Sequence, residues 1–298
     1  MAEEEEILEP PIGGGFEGKV YLTKSGKVVK IMADVPENFK SAYRQFLLTD
    51  FFEKCYTNPP FAHIFELSTS NGKIKLKMEK YYKDLSARMK TITRDDAYKF
   101  MDQIFSGISM LIDLEYVFQD LKPGNILCNI HGSIFLTDFG SGVFLTEIDG
   151  KRQFTFMTNK IYTDPELSKG WFDVMNYVYS LGVIFLEMLH HGKIKEKSLE
   201  YIKQLQKGEE EKPASHESND KSQSQSNNNN EETAYDEMLT ETIEHFKKNP
   251  YAIEFNDISD EEKEFITFCI SDFEGRYTFE EAQNEFKKLV DLRSYNVL

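Results

Sequence analysis

Phe118-Gln119-Asp120-Leu121-Lys122-Pro123-Gly124-Asn125-Ile126-Leu127, followed by Asp138-Phe139-Gly140, carries more chemistry per residue than any other stretch of the chain. Asp120, Lys122 and Asn125 lie on a turn-forming segment that holds Pro123 and Gly124. Residues 126–128 read as one short apolar strand and 134–136 as another, with a turn at His131-Gly132. A hairpin brings its two ends together, so Asn125 at its start and Asp138 at its end become neighbours. Two oxygen-bearing side chains side by side, with an ammonium and a second carboxylate close by, suit phosphates chelated by magnesium.

With those residues in view, the segment resembles the catalytic core of eukaryotic-type protein kinases, whose pattern is H-R-D-L-K-x-x-N followed by D-F-G. The resemblance implies that Asp120 accepts the proton of an attacking hydroxyl and that Lys122 neutralises the transferring phosphoryl group. It also implies that Asn125 and Asp138 hold magnesium ions. A lysine two residues after the aspartate is similar to serine/threonine kinases more than to tyrosine kinases.

Upstream, Gly13-Gly14-Gly15-Phe16-Glu17-Gly18-Lys19-Val20 satisfies G-x-G-x-x-G-x-V. Glycines let backbone amides approach phosphate oxygens. Val20-Tyr21-Leu22 reads as a strand, which favours a strand-loop-strand arrangement over a Rossmann turn. Lys30, in Val28-Val29-Lys30-Ile31, matches the strand lysine that binds the nucleotide's α- and β-phosphates. By resemblance, the following helix presents an acid to that lysine. Asp50 and Glu53 both fit, Asp50 by register and Glu53 by reach. Where the family joins its lobes stand Met78-Glu79-Lys80-Tyr81. Backbone groups of Glu79 and Tyr81 are thereby expected at the adenine edge, with Met78 walling the base pocket. Asp164-Pro165-Glu166 stands where the family has A-P-E, and by resemblance Arg276 has the family's spacing for a buried pair with Glu166.

The departures concentrate on one brace. Phe118 and Gln119 replace His-Arg, so the usual cation for a loop phosphate is missing. Tyr177 replaces the aspartate that braces the loop from below, and Thr158-Asn159 stands where Gly-Thr is usual. The loop is then expected to be held by apolar packing of Phe118. Activity is expected not to need phosphorylation at Thr146, Thr155 or Thr158. A chain with alanine at all three should keep its rate in a phosphate-incorporation assay; abolished transfer in a folded chain contradicts this.

The remainder of the sequence sets the frame. Its 298 residues carry net charge −16, with an isoelectric point near 4.9. That balance argues against nucleic acid or anionic lipid as partner. Cys55, Cys128 and Cys269 lack metal-ligand spacing and fit a reducing compartment. With no basic leader and no run long enough to span a bilayer, a cytoplasmic or nuclear setting is expected.

The first third reads as strands, with turns at Ser25-Gly26 and Asn71-Gly72 and a helix over 38–55 carrying Phe39, Tyr43, Phe46 and Leu47 on one face. From Thr93 the pattern turns helical, with capping boxes at Thr93/Asp96, Ser259/Glu262 and Thr278/Glu281. Ser180 to Leu189 reads as a buried helix. Residues 208–232 are too polar to offset the entropy of ordering and read as a disordered insertion.

The expectation is an α+β fold of two lobes: a small antiparallel β lobe with one helix (9–80) and a larger, mainly helical lobe (81–298). Its ligands would be ATP, Mg2+ and protein substrates with serine or threonine acceptors. The competing class is a pseudokinase, a nucleotide-binding scaffold. A small-molecule kinase is disfavoured by Glu166 and Arg276.

Overall fold

The computed structural model describes residues 6–14, 18–144, 160–165, 174–210 and 223–295. Gly15, Phe16, Glu17, Thr146, Thr155, Thr158, Asn159 and Glu166 lie outside the described residues. The chain divides into two compact units: residues 1–88 with 98–158, and residues 89–97 with 159–298. Residues 126–136, expected to form a hairpin, fall in the first unit.

The first unit is built on a five-stranded antiparallel sheet in the order β1-β2-β3-β5-β4. These strands are β1 (Ile7–Gly14), β2 (Gly18–Thr23), β3 (Val28–Ala33), β4 (Ile64–Ser70) and β5 (Lys73–Met78). Period-two alternation sets the faces: Ile74, Leu76 and Met78 of β5 are buried while Lys73, Lys75 and Lys77 are not. Val28, Met32, Ile64 and Ala42 complete that core cluster. The turns fall where expected. Gly26 has φ +80°, and Asn71-Gly72 has φ 52° and 68°, a left-handed pair suited to a tight hairpin.

Helix α1 (Pro36–Cys55) opens on a proline, whose missing N–H costs nothing at a helix start. Its orientation is not set by Phe39, Tyr43 and Leu47. Its buried face is Ser41, Ala42, Gln45, Leu48, Thr49 and Phe52, whereas Phe39, Tyr43 and Leu47 are 42%, 47% and 45% exposed. The reason is steric and emerges at Gly140 below.

The rest of this unit comprises β6 (Lys83–Asp84), α2 (Leu85–Arg88), α3 (Arg94–Asp113) from Tyr98 onward, β7 (Tyr116–Val117), β8 (Ile126–Cys128), β9 (Ile134–Leu136) and β10 (Val143–Phe144). Strand β8 pairs with β6 and β9, and β10 pairs with β7. Helix α3 buries the expected stripe of Ala97, Phe100, Met101, Ile104, Phe105, Ile108 and Leu111. Its capping box forms, with reciprocal 3.1 Å bonds between Thr93 and Asp96.

The second unit is mainly helical: α4 (Met175–Glu210), α5 (Gln223–Lys248), α6 (Asp260–Ile270) and α7 (Phe279–Tyr295). The outer parts of the polar insertion therefore continue helices, and residues 211–222 lie outside the described residues. Tyr177 to Met188 of α4 is buried throughout. Gly182 is obligatory there, since a Cβ would lie 2.5 Å from that of Cys269 on α6. Phe185 sits edge-on to Phe265 and Phe286, at 5.8 and 5.5 Å. Both remaining capping boxes form, at Ser259/Glu262 and Thr278/Glu281.

Among the described residues of this unit, two buried polar centres stand out. Arg276 pairs with Asp164, and the two side chains are 2% and 0% exposed. Asn176 also donates to Asp164, and Arg276 donates to the Ser271 carbonyl at 2.9 Å. Resemblance pointed to Glu166 as the partner, which lies outside the described residues; among the described residues the guanidinium fork engages Asp164.

The second centre is Glu187, whose carboxylate accepts from Tyr162 at 2.7 Å and Tyr235 at 3.0 Å. His191 Nδ1 lies 2.6 Å from the Tyr235 hydroxyl. Burial lifts the Glu187 carboxyl from 4.5 to about 7 and depresses His191 from 6.5 to about 4, helped by Lys195 and Lys90. Both groups are thus favoured neutral in the fold, with opposite consequences. The Glu187 contribution is full below pH 4.5 and is lost as pH rises through about 7. The His191 contribution is full above pH 6.5 and is lost as pH falls towards about 4. Glu187→Gln removes the first alone. The melting-temperature advantage of the native chain over this variant is expected to shrink between pH 4.5 and about 7. A constant difference across that window refutes the assignment.

Candidate active site

The β8–β9 hairpin does what its ends require. Ile126 pairs with Leu136, and the Thr137 amide donates to the Asn125 carbonyl at 3.0 Å. Asn125 and Asp138 are therefore attached to directly bonded backbone. On the turn before β8, Lys122 Nζ donates to Asp120 Oδ2 at 2.6 Å. Asn125 Nδ2 donates to the same oxygen and to the Asp120 carbonyl, both at 2.8 Å. Asp120 is thus clamped by two residues of its own turn, with its side chain 16% exposed.

Lys30 reaches Asp138 from β3, where it lies opposite Leu76 on one side and Val20 on the other. Its Nζ donates to Asp138 Oδ1 at 2.9 Å, the lysine 12% exposed and the aspartate 40%. Asp138 takes left-handed backbone, φ 65° and ψ 48°, uncommon for a non-glycine residue and found mostly where function or a turn demands it. Lysine and carboxylate come together here across 108 positions.

Behind Asp138 the chain is locked. Phe139 is buried and lies 5.1 Å from Phe118 and 5.5 Å from Phe61, which stacks on Phe52 at 3.9 Å. This aromatic column is the apolar hold expected of Phe118. The Tyr116 hydroxyl donates to the Phe139 carbonyl. Gly140 is the tightest point: a Cβ would collide with Ser41 Oγ and sit 2.5 Å from Gln45 Nε2. This close approach explains the orientation of α1, since bulky apolar groups at 41 and 45 would not fit. Gly140→Ala is expected to push α1 off this segment and weaken the thermal stabilisation by Mg-ATP. Overpacking of this kind typically costs about 1–3 kcal/mol. Adding Ser41→Ala should recover part of the loss; native behaviour of the single variant contradicts the packing argument.

The other expected residues divide. Gly13 and Gly14 pair with Val20 and Lys19 across β1–β2, bringing the described glycines to the same hairpin as Val20. Gly18 has a packing reason of its own: a Cβ there would collide with the Ile31 carbonyl. Met78 is buried in the sheet core. The Glu79 amide donates to the His63 carbonyl at 3.2 Å, and its carboxylate meets Lys27. The Tyr81 hydroxyl accepts from the His63 amide at 3.2 Å, and burial pushes it up to about 12.

Asp50 is not brought to Lys30. Its carboxylate pairs with Lys54 at 2.6 Å, on a different face of α1 from the buried one. Counting along the helix predicts the spacing, but the rotation about its axis is set by Gly140. Sequence reasoning also missed Ser41, Gln45, Tyr116, Phe52 and Phe61, whose partners are distant in the chain.

The donor set suits magnesium. Both Asn125 bonds use its amide nitrogen, so they do not spend the oxygen, which is the atom a hard cation takes. Asp138 is half exposed and already balanced by Lys30. Among the described residues no group of three His, Cys, Asp or Glu side chains could hold a metal. Two oxygen ligands completed by substrate phosphates is the arrangement magnesium favours over an all-protein cage.

A model of the protein kinase domain matches residues 8–286. The chain belongs to the protein kinase domain family. Among curated kinases, it is 31% identical over 107 residues to the serine/threonine-protein kinase PknA of Corynebacterium glutamicum, covering 36% of this chain and 23% of that one. It is 27% identical over 170 residues to a MAP kinase kinase of Saccharomyces cerevisiae, covering 54% and 33%. It is 26% identical over 190 residues to the serine/threonine-protein kinase PrkC of Bacillus subtilis, covering 60% and 29%. The chain thus matches a quarter to a third of the length of these relatives.

Proposed function

We propose that this kinase domain transfers the γ-phosphate of Mg-ATP to serine or threonine hydroxyls of proteins. The observation that carries the reading is the clamp on Asp120 beside the Lys30–Asp138 pair. Asp120 is held with one oxygen engaged by Lys122 and Asn125. It would take the proton of the attacking hydroxyl as the new oxygen–phosphorus bond forms and the bond to the departing ADP oxygen breaks. Lys122, bonded to Asp120, is placed to follow negative charge onto the transferring group. Asn125 and Asp138 would hold the magnesium, which neutralises phosphate charge when bound. Lys30 would orient the phosphates from β3. The serine/threonine preference rests on Lys122 and on the similarity to serine/threonine-protein kinases.

A second reading, a nucleotide-binding scaffold, is favoured by one observation: α1 turns Gln45, not a carboxylate, towards the Gly140 segment. Magnesium-dependent thermal stabilisation by ATP fits both readings. Transfer of labelled γ-phosphate to a mixture of serine, threonine and tyrosine peptides separates them. Incorporation into serine or threonine supports the proposal. Stabilisation without incorporation supports the scaffold, and incorporation into tyrosine alone overturns the specificity.

A further inference from the structure

Glu187 lies in the fully buried stretch of α4, and its two oxygens meet hydroxyls rather than a cation. Tyr162 donates to Oε2 at 2.7 Å, and Tyr235 to Oε1 at 3.0 Å. The Tyr235 oxygen also lies 2.6 Å from His191 Nδ1. The far nitrogen of that ring, Nε2, is buried and has no hydrogen-bond partner among the described residues. Four side chains thus make one chain of hydrogen bonds within the second unit. It runs from residues 160–165 to α4, on to α5, and back to α4.

A hydroxyl carries a single proton, and this fixes the direction of the whole chain. With Glu187 ionised, the Tyr235 hydrogen is committed to the carboxylate. The Tyr235 oxygen then accepts from the imidazole, which holds its hydrogen on Nδ1. With Glu187 protonated on Oε1, the carboxyl donates to Tyr235, whose own hydrogen turns to His191. Nδ1 must now accept, so the ring hydrogen sits on Nε2. Protonation on Oε2 would instead leave the Tyr162 hydrogen without an acceptor among the described residues. We propose that these residues form a protonation switch, in which a proton taken up by Glu187 reverses the hydrogen bonds through Tyr235 and moves the ring hydrogen of His191 from Nδ1 to Nε2. The net uptake is one proton. The ring gains it on Nε2, its Nδ1 hydrogen passes to the Tyr235 oxygen, and the Tyr235 hydrogen passes to Glu187. Only Glu187 changes charge.

The surroundings place the reversal near neutrality. Burial, aided by Asp236 on α5 and opposed by the two tyrosine bonds, lifts Glu187 to about 7. Asp236 is itself raised by burial and by Glu232. Burial, with Lys195 of α4 and Lys90 ahead of α3, holds His191 down to about 4, so the ring stays neutral throughout. Burial and Glu187 push both tyrosine hydroxyls up, so neither ionises. Bonds to the ionised carboxylate are charge-assisted and roughly twice as strong as neutral ones. Tyr162 also anchors its segment by its carbonyl, which accepts from Ser180 at 2.7 Å. Near neutrality, pH therefore sets how firmly residues 160–165 and α5 are tied to α4. The switch does not depend on phosphate transfer.

Nuclear magnetic resonance of the full chain, carrying isotope-labelled histidine, reads which ring nitrogen holds the hydrogen. The His191 signal is assigned by its absence from His191→Gln. Above about 7 the Nδ1–H form is expected, giving way to Nε2–H as pH falls through that value. The doubly protonated ring should appear only towards about 4. In Glu187→Gln, which cannot titrate, and in Tyr235→Phe, which cannot relay, the tautomer should not change across the window. Melting curves identify which variants are folded. A native chain with one tautomer throughout overturns the inference, as does a ring that gains its charge at about 7. A reversal that survives in either folded variant overturns it too, since another group then drives the change.

Discussion

Asp120→Asn is expected to abolish phosphate transfer while leaving nucleotide binding in place. The substitution keeps size and shape, and the asparagine oxygen can still accept from Lys122 Nζ and Asn125 Nδ2, the two donors on Asp120 Oδ2. What it removes is a carboxylate able to take a proton. General-base groups typically contribute about 10²–10⁴-fold, so incorporation of labelled phosphate should fall by at least that range. Mg-ATP stabilisation should persist, because Lys30 and Asp138 are untouched. An unchanged rate ends the assignment of Asp120 as base. Loss of nucleotide stabilisation together with activity means instead that Asp120 holds the loop.

The second large effect is on stability. Asp164→Ala removes the buried carboxylate with which the Arg276 guanidinium, 2% exposed, pairs among the described residues. A stranded buried charge typically costs about 3–5 kcal/mol, well above the effect of an exposed ion pair. Ser271 and Met175 carbonyls still accept from Arg276, and the Tyr179 face lies 5.3 Å from it. None of these neutralises the charge. Denaturation should therefore show a large loss for Asp164→Ala and for Arg276→Ala, and a double Asp164→Leu/Arg276→Met variant should lose less than the two summed. Single losses below about 1 kcal/mol contradict the burial argument.

The two effects fall on residues of different legibility. Asp120, Lys122, Asn125 and Asp138 were readable because hairpin geometry is local: residues 126 and 136 must pair if 126–128 and 134–136 are strands joined by a turn. The strands and capping boxes were readable for the same reason, as were the turns at Gly26 and Gly72, each being decided by a few adjacent residues. Arg276 was recognisable by spacing, but its pairing with Asp164 was not, because that contact depends on a backbone path that spacing does not encode.

Helix α1 shows the limit most clearly. Its existence and length follow from composition, and a hydrophobic-face argument turns Phe39, Tyr43 and Leu47 inward. The protein does the reverse, because Gly140 approaches so closely that only Ser41 and Gln45 fit against it. One rotation about the helix axis removes Asp50 from Lys30 and leaves a rank of aromatic and aliphatic side chains facing solvent. The linear code settled the family and the strand-and-turn framework and brought the residues proposed to handle phosphate to one hairpin, since these depend on short-range spacing and on residue chemistry. Helix rotation, the Asp164–Arg276 pairing and the Phe118–Phe139–Phe61–Phe52 column arise from steric fit between segments far apart in the chain, and that fit exists only once the chain has folded.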